Sequence, residues 1–356
     1  MVKLSICIAT LNRGDTIGET LDSLVSQLTG EVELVVVDGA STDDTPEVVG
    51  RYRERCASLR YERLERAGGI DRDYCRAVEL ARGEFCWLMT DDDVLVPGAV
   101  SSVLSRLQGG VDVVLVNAEV RDTELREVLL ERVLPATGDR AYSPAERETL
   151  FRDTAHLLTF IGSVVVRRSL WQAREKERYL GSEFVHVGVI FQAPLEGDAV
   201  LVADPLVRIR YGNALWSDRA LRIWMFQWPE LVWSFPGISD DAKAAVWKRE
   251  PWNDIRFLIA SKARGQLSRE EYRRLLRDVR FRPFRRALAL LIAYFPDRLF
   301  NRLLRVLAPL WRPTDKMLRF ELRASRFGPR LQTPQRSAAA RSLARGSSNP
   351  GRRCVL

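Results

Sequence analysis

The first 120 residues alternate short runs of β-branched and other apolar residues with amphipathic stretches. After the first apolar run, Ile17, Leu21 and Leu24 recur at helical spacing, so that they share one face of a helix. Alternation of this kind is typical of β-α-β units around a mostly parallel sheet, and it predicts an α/β fold with helices on both sides. The runs that we predict as strands span residues 4–9, 32–37, 59–64, 85–90 and 111–120.

The pattern weakens beyond residue 121. Residues 160–166 and 199–209 still resemble strands, and residues 183–191 between them predict a helix. Residues 213–310 read as helices rich in tryptophan and arginine, whereas the last stretch has almost no large apolar side chain and cannot offset the entropy of ordering. The predicted parts are an α/β domain (1–212), a helical, arginine-rich region (213–328) and a disordered basic tail (329–356).

Net charge divides the chain unevenly. The sequence carries a formal +8, but the residues from Arg264 onward hold 23 Lys or Arg against 6 Asp or Glu, a net +17, which leaves −9 for the rest. Residues 284–311 mix large apolar side chains with arginines, as helices lying on an anionic membrane surface would. An ordinary helical subdomain with a solvated arginine face fits the same pattern. No nucleic-acid-binding module accompanies the charge, so we expect no nucleic-acid partner.

The sequence predicts neither export nor a membrane span. Met1 is followed by no basic region and long apolar stretch, and residues 287–295 supply about half of the roughly 20 apolar residues that a span needs. Five cysteines, an odd number without a C-x-x-C pair, favour reduced thiols over a disulfide framework. We therefore expect a cytoplasmic protein that makes peripheral contact with the inner face of the membrane through its basic helices.

Polar groups follow four of the predicted strands. A lone Asp or Thr at a strand end more often begins a turn or caps a helix. In an open α/β sheet, however, ligands bind outside the carboxyl ends of the strands, and four polar groups on that edge predict a ligand site. The groups are Thr10 with Asn12, then Asp38, then the segment 68–72 ending in Arg72, and finally Asp91, Asp92 and Asp93.

The three successive carboxylates at 91–93 repel one another unless a cation lies between them. Mg²⁺ and Mn²⁺ prefer such oxygen ligands and usually bind through one or two carboxylates plus substrate phosphates. The run therefore predicts a divalent cation together with a nucleoside diphosphate, whose growing negative charge the metal would neutralise. Arg72 is a candidate cation for the same phosphates.

Other classes of protein also begin with β-α-β units. A dinucleotide-binding oxidoreductase fits the β-α-β units, but residues 9–14 read ATLNRG and lack the G-x-G-x-x-G fingerprint. A P-loop sequence is absent as well, although a phosphotransferase with strand-end aspartates stays compatible with the pattern. A non-catalytic scaffold on a membrane surface is the third alternative.

Three strings carry a resemblance to a known family. They are SICIATLNR (5–13), VVVDGASTD (35–43) and GEFCWLMTDDD (83–93). In order, spacing and strand context they resemble the family 2 inverting glycosyltransferases of GT-A fold, over about the first 125 residues. Within that family, GGIDRDYC (68–75) and residues 171–216 are similar to abequosyltransferase-like enzymes of O-antigen assembly.

The resemblance implies a reaction and the residues that perform it. The reaction is the inverting transfer of a sugar from a nucleotide-sugar to a hydroxyl of a glycan or lipid-linked glycan, in surface polysaccharide or O-antigen assembly. Residues 1–212 become the catalytic domain. Asp93 is the implied direct metal ligand, with Asp91 beside it in a D-x-D-type site. The residues implied to bind the nucleotide-sugar are Thr10, Asn12 and Asp38 at the base and ribose, Arg72 at the diphosphate, and Asp91 and Asp92.

The catalytic base is expected roughly ninety residues after the metal motif, where this sequence departs from the usual Glu-Asp pair and reads GSEFVHVG. Glu183 and His186 stand three residues apart, so both would face one cleft if the segment is helical. Either could take the proton from the acceptor hydroxyl, and the sequence does not choose between them. Arg210 and Asn213 are weaker site candidates, and the tryptophans that follow are more typical of a core than of a sugar pocket.

Overall fold

The computed structural model of the protein describes residues 1–213, 219–325 and 327. The described residues contain ten strands, which join in one sheet. The strands are β1 (Leu4–Thr10), β2 (Val32–Asp38), β3 (Leu59–Arg63), β4 (Phe85–Met89), β5 (Val94–Leu95), β6 (Val111–Arg121), β7 (Val128–Leu130), β8 (Arg140–Tyr142), β9 (Val164–Arg167) and β10 (Asp198–Arg210).

Helices connect the strands and then form the C-terminal region. Those of the first part are α1 (Ile17–Val25), α2 (Thr45–Arg55), α3 (Ile70–Leu80), α4 (Ala99–Leu104), α5 (Arg147–Thr154), α6 (Arg168–Ala173) and α7 (Val185–Phe191). Those of the second are α8 (Ala220–Arg222), α9 (Trp228–Ser234), α10 (Asp240–Val246), α11 (Ile255–Ala263), α12 (Arg269–Glu271), α13 (Arg285–Tyr294), α14 (Asp297–Trp311) and α15 (Lys316–Ala324). A π-helical stretch, Ile223–Gln227, joins α8 to α9, and another, Tyr272–Leu276, extends α12.

The central strands lie in the order β3-β2-β1-β4-β9-β6-β10-β5. The pairs β3-β2, β2-β1 and β1-β4 are parallel, as their β-α-β connections require, and β6-β10 is parallel too. Strand β9 runs antiparallel to both of its neighbours, β4 and β6. It begins at Val164 rather than at residue 160, because the preceding Ile161–Ser163 forms a 3₁₀ turn. The predicted α/β class is confirmed, and the antiparallel strand at its centre is an addition to it.

The sheet buries both of its faces. Along β1, the side chains of Cys7 and Ala9 enter one core, whereas Leu4, Ile6 and Ile8 enter the core on the other face. Helix α3 covers the first face, and α1, α2 and α4 cover the second. Strands covered on both sides are apolar nearly throughout, which is why these runs are so plain in the sequence. Each fully buried Val, Leu or Ile stabilises the fold by about 1.5–3 kcal/mol.

The helical region is joined to the α/β part through the helix that runs from α8 to α9. Ile223 and Trp228 pack into the core behind α3, whereas Leu221 and Met225 of the same helix pack into a separate core with α11 and α13. The predicted boundary after residue 212 therefore marks a change of secondary structure rather than a break between cores. The predicted tail, 329–356, lies outside the described residues. In the part of the chain that the structure describes, the helices are too short or too polar to cross a membrane.

Candidate active site

The carboxyl ends of β1 and β2 lie side by side, with Thr10 paired to Asp38 in the parallel register. Asp38 is fully buried, and its two carboxylate oxygens accept hydrogen bonds from the Ser41 N–H and the Tyr61 hydroxyl, both at 2.7 Å. Thr10 is also buried, and its hydroxyl has no hydrogen-bond partner among the described residues. The structure thus brings two of the predicted nucleotide-binding residues together at the sheet edge.

Asn12 holds the loop after β1 against the loop after β2. Its backbone has φ 53°, a left-handed conformation that Asn tolerates better than most residues. Its side-chain oxygen accepts a hydrogen bond from the Thr42 N–H at 2.8 Å, and its own N–H donates to the Ser41 hydroxyl at 2.8 Å. These contacts shape the rim of the site, so the side-chain oxygen of Asn12 is already engaged by the protein.

Helix α3 begins at the same edge, directly after Gly69, whose φ of 89° suits glycine. Asp71 and Asp73 in its first turn are buried, whereas Arg72 between them points to solvent and pairs with Glu177 at 3.5 Å. Helical residues one apart project about 100° from each other, which accounts for the different environments. The sequence predicts that Arg72 lies with the aspartates, but the structure does not bring it to them.

The aspartates after β4 are buried and do not all face the same way. Asp93 accepts a hydrogen bond from the Thr90 hydroxyl on one oxygen and from the Arg210 N–H at 2.6 Å on the other. Burial, with the charges of Asp92 and Asp91, raises the pKa of Asp93 well above its ordinary value. Both oxygens of Asp93, the predicted direct metal ligand, are thus used by the protein.

Asp91 and Asp92 face Arg13, a residue that follows β1. The guanidinium lies 3.3 Å from the Asp91 carboxylate and 3.2 Å from that of Asp92. Burial alone would lower the pKa of Arg13, but these two carboxylates raise it above its ordinary value. Arg13 is absent from the site residues that the sequence predicts, although it stands inside the first motif string. Three buried carboxylates require a nearby cation, and the loop after the adjacent strand β1 is where one would be sought.

Arg210, at the end of β10, closes the other side of the aspartate loop. Its guanidinium donates hydrogen bonds to the carbonyls of Asp92 at 2.8 Å and Thr123 at 2.7 Å, and it forms an ion pair with Glu19. All of these partners of the Arg210 guanidinium are groups of the protein itself. Arg210 therefore fixes the loop that carries the aspartates. Asn213 contributes its carbonyl, which accepts a hydrogen bond from Arg13 at 3.2 Å.

Among the described residues, no group of three or more ligand side chains is arranged to hold a metal ion. The donor set nevertheless fits a hard divalent cation, because Asp91 and Asp92 are neighbouring carboxylates that share the guanidinium of Arg13. Burial raises the pKa of both carboxyl groups, and Arg13 opposes the rise. A buried pair of this kind gains from any additional positive charge that enters the site.

Glu183 lies in the loop before α7, and not on that helix as predicted. Its φ is 71°, which no helical residue adopts, so the expected i, i+3 face shared with His186 does not exist. The side chain is mostly buried and forms an ion pair with Arg219. Burial raises the pKa of Glu183 above its ordinary value, and the guanidinium of Arg219 opposes the rise.

Asp71 holds this loop in place. Its carboxylate accepts hydrogen bonds from the N–H groups of Gly181 at 2.7 Å, Glu183 at 3.0 Å and Val185 at 3.1 Å. Asp71 therefore links the start of α3, at the strand-end edge of the sheet, to the segment that carries Glu183. A second link runs from α3 to the aspartates, because the Tyr74 hydroxyl donates to the Met89 carbonyl at 2.9 Å just before Asp91.

His186 is buried inside the protein. Its Nε2 donates a hydrogen bond to the Leu158 carbonyl at 2.8 Å, which leaves Nδ1 as the unprotonated nitrogen, without a partner in the described part of the chain. Burial lowers the pKa of His186 to about 4, so the ring is neutral at physiological pH. Phe184 packs between this ring and Trp228, and Trp228 belongs to the core, as favoured from the sequence.

These features define an α/β protein that gathers the predicted nucleotide-binding residues Thr10 and Asp38, paired carboxylates and a separate buried carboxyl group along one sheet edge. Residues 5–171 match the family model described as Glycosyl transferase family 2. The chain is thus a glycosyltransferase whose α/β part carries a family 2 domain. This match favours a glycosyltransferase over the oxidoreductase and phosphotransferase alternatives.

The chain is similar to two curated relatives and to one solved structure. The chain is 26% identical over 223 residues to the abequosyltransferase RfbV of Salmonella typhimurium, covering 59% of this chain and 67% of that protein. It is 29% identical over 111 residues to a GalNAc(5)-diNAcBac-PP-undecaprenol beta-1,3-glucosyltransferase of Campylobacter jejuni, covering 31% of this chain and 36% of that protein. This chain therefore spans only about a third of the second relative.

The fold resembles that of Staphylococcus aureus TarS, whose residues 1–349 were solved in complex with UDP. The TM-score is 0.55 at 18% identity, over 90% of this chain and 90% of that one. The match extends beyond the family 2 segment into the helical C-terminal region. It supports the GT-A architecture that the sequence resemblance implies.

Proposed function

We propose that this chain transfers a sugar from a nucleoside diphosphate-sugar to an acceptor hydroxyl, with inversion at the anomeric carbon. One observation carries the proposal: Asp71 and Tyr74 in the N-terminal part of α3 bind the Glu183 loop and the end of β4, which leads into the aspartates. A donor at the edge and a base in the loop are thereby held by a single helix. Fixed mutual positions of reactant and base are what a displacement reaction requires.

Glu183 is the base in this proposal. Its carboxylate takes the proton of the acceptor hydroxyl while the acceptor oxygen forms a bond to the anomeric carbon. The bond from that carbon to the diphosphate oxygen breaks, and the nucleoside diphosphate leaves with the electron pair. A single displacement inverts the configuration of the sugar. His186 supports the loop by packing, because its neutral ring is buried against Phe184 and bonded to a carbonyl.

Asp91 and Asp92 would hold Mg²⁺ or Mn²⁺ beside Arg13. This assignment differs from the expectation for Asp93, whose oxygens are both bonded inside the protein. When bound, the cation stabilises the negative charge of the departing diphosphate. Arg13 supplies a second positive charge beside the same carboxylates, and Asp93 keeps the loop in shape.

Replacing Glu183 by Gln tests the base. The change keeps size and polarity but removes proton acceptance, so we expect transfer to fall by about 10²- to 10⁴-fold while donor binding persists. The wild-type rate should rise with pH through the raised pKa of Glu183, since only the ionised carboxylate accepts a proton, and the variant should lack that rise. Glu177→Gln, at an exposed carboxylate nearby, is the matched control. A Glu183→Gln enzyme with wild-type turnover contradicts the assignment.

Replacing single aspartates tests the metal. Asp92→Asn should weaken the stabilisation that Mg²⁺ and a nucleoside diphosphate together give in a thermal melt, because a ligand specific to the folded state stabilises it by mass action. Asp93→Asn should instead lower the melting temperature of the free protein, since it disturbs the bonds to Thr90 and Arg210. The reverse pattern would restore Asp93 as the direct ligand.

We further propose that the acceptor is a glycan carried on a lipid, in the assembly of a surface polysaccharide such as an O-antigen, at the cytoplasmic face of the membrane. The names of the relatives support this, since one is an abequosyltransferase and the other acts on an undecaprenol-linked glycan. The four described cysteines are free, in keeping with a reducing compartment.

Helix α14 supports contact with a membrane surface. One of its faces is apolar yet exposed, and the adjacent face carries exposed arginines, whereas the remaining side packs inward through Asn301 and Ala308. Two more exposed apolar side chains lie nearby in the sequence. Phe284, just before α13, is 87% exposed, and Leu291 in α13 is 67% exposed. The exposed apolar residues of α14 are Leu299, Leu303, Val306 and Leu310, and the arginines beside them are Arg298, Arg302 and Arg305.

An apolar face flanked by arginines suits an anionic bilayer, where the side chains enter the headgroup region and the guanidinium groups meet lipid phosphates. The protein should cosediment with phosphatidylcholine vesicles that contain phosphatidylglycerol, and added salt should weaken this binding. The double variant Leu303→Gln with Val306→Gln should lose about ten-fold or more in affinity. Leu130→Gln, on exposed β7, is the control. Equal binding by both variants would remove the membrane contact from the proposal.

A further inference from the structure

Asp73 is a buried carboxyl group that the proposed reaction does not use. It is 4% exposed, and its Oδ1 makes no hydrogen bond of ordinary geometry among the described residues. Asp71 next to it is satisfied by three backbone N–H groups, so burial in α3 does not by itself leave a carboxylate unpaired. Natural proteins rarely bury an unpaired polar atom without a reason.

The carboxyl group of Asp73 lies at the ends of β1, β2 and β3. A Cβ on Gly39 would stand 2.8 Å from its Oδ2, and a Cβ on Gly68 would stand 3.0 Å from its Oδ1. Gly39 itself donates a hydrogen bond to the Thr10 carbonyl at 2.9 Å. Two glycines thus make room for the carboxyl group at the sheet edge where open α/β proteins bind their ligands.

The charges around Asp73 leave it in need of a hydrogen-bond donor. Burial and the nearby charge of Asp38 raise its pKa to about 6, and the Gly68 N–H only partly opposes the rise. The two oxygens of Asp38 accept hydrogen bonds from Ser41 and Tyr61, and no hydrogen bond joins them to Asp73 among the described residues. A carboxylate in this position accepts hydrogen bonds and repels other acceptors.

We propose that Asp73 reads the base of the donor nucleotide by accepting a hydrogen bond from an exocyclic amino group. The inference rests on the proposed function, since it assumes that the base of a nucleoside diphosphate occupies this edge. An amino base such as cytosine, guanine or adenine satisfies Oδ1. Uracil and thymine place a carbonyl oxygen where cytosine has its amino group, and that oxygen faces the carboxylate without a proton between them.

Matched nucleotides test this without any mutation. CDP and UDP differ in the group at position 4 of the base, and IDP lacks the amino group that distinguishes GDP or ADP from it. Affinities for all five, measured by calorimetry with Mg²⁺, should favour the amino member of at least one pair by about ten-fold or more, the usual cost of an unpaired buried polar group. If no amino nucleotide binds more tightly than its carbonyl partner, the inference is overturned while the proposed function stands. If no nucleotide binds, both are overturned.

Asp73→Asn then assigns the preference to this residue. The amide adds a donor and removes the charge, so the affinity for the favoured amino nucleotide should fall about ten-fold and that for its carbonyl partner should rise. Asp44→Asn, at an exposed carboxylate on the loop after β2, should keep the wild-type ratio. An unchanged ratio in Asp73→Asn overturns the assignment. Should this variant fail to fold by circular dichroism, Asp73→Ser provides the same comparison.

Discussion

Asp71 shows how one side chain can set the position of another without touching the reacting groups. Its carboxylate binds three N–H groups of the segment that carries Glu183, and that segment includes a residue with φ 71°. A non-glycine residue in this conformation costs roughly 1–3 kcal/mol unless its surroundings hold it. Burial raises the pKa of Asp71, and the backbone N–H groups counter the rise.

Asp71→Asn should therefore separate positioning from binding. The amide turns one donor toward N–H groups that need acceptors, so we expect a loss of about 1–3 kcal/mol in the free energy of unfolding. The kcat for transfer should fall about 10- to 100-fold because Glu183 is displaced, whereas nucleoside diphosphate affinity should change little. Steady-state kinetics and denaturant unfolding measure both effects. A folded variant with wild-type kcat would show that the loop holds its shape without Asp71.

Titration of Asp73 should make the free energy of unfolding depend on pH. Its pKa rises from an ordinary value of 3.8 to about 6 on folding, so the protonated form is favoured in the folded state. The stability that this group contributes is fully present below about pH 4 and is lost as the pH rises toward 6. Asp73→Asn has no such titration. Relative to wild type, its free energy of unfolding should gain roughly 2 kcal/mol between pH 4 and pH 7.

Urea unfolding at several pH values would measure the difference between Asp73→Asn and wild type. A constant difference across this range would mean that Asp73 titrates at its ordinary pKa. Asp44→Asn, whose carboxylate is exposed, serves again as the reference.

At the residue scale, the sequence indicates which side chains gather at the edge but not how each one points. Thr10, Asp38 and the aspartate run lie where strand ends predict them. Arg13, and not Arg72, pairs with the aspartates, because the turn of α3 directs Arg72 to solvent and no periodicity in a single short segment reveals this. Glu183 is displaced from its predicted helix by a backbone conformation that side-chain type does not predict.

At the scale of elements, two glycines in helices should respond to alanine in opposite ways. Gly50 in α2 has open space where a Cβ would be, so Gly50→Ala should stabilise the protein by about 0.5–1 kcal/mol. In α7, a Cβ on Gly188 would stand 2.3 Å from the ring of Tyr179, so Gly188→Ala should destabilise it by about 1–3 kcal/mol. Thermal unfolding of the two variants measures both signs. Equal shifts would show that the Tyr179 ring moves aside freely.

At the scale of elements, the sequence pattern predicts most strands but not all of their pairings. The parallel order of β1 to β4 follows from their β-α-β connections, and apart from β9 the predicted strands differ from the observed ones by one residue at one or both ends. Strand β9 is also visible as an apolar run. Its place between β4 and β6, antiparallel to both, depends on a pairing across some eighty residues of chain, from Trp87 to Val165 for example, which local periodicity does not specify.

At the scale of the whole molecule, the two parts should unfold together. The helix from α8 to α9 places residues in the core of the α/β part and in the core of the C-terminal helices. If either core unfolds, the other core loses the packing of this shared helix. Thermal unfolding followed by tryptophan fluorescence and by far-ultraviolet circular dichroism should give one midpoint. Two separated midpoints would establish residues 213–328 as an independent folding unit.

The position of β9 also bears on synthesis of the chain. Residues 4–89 supply β1 to β4 and can pair as soon as they leave the ribosome, but β4 keeps one open edge until Val164–Arg167 emerges. An unpaired strand edge is a template for association with other chains. Chains that terminate early, before residue 164, should accordingly aggregate, whereas chains that extend past β10 have every central strand of the sheet in place.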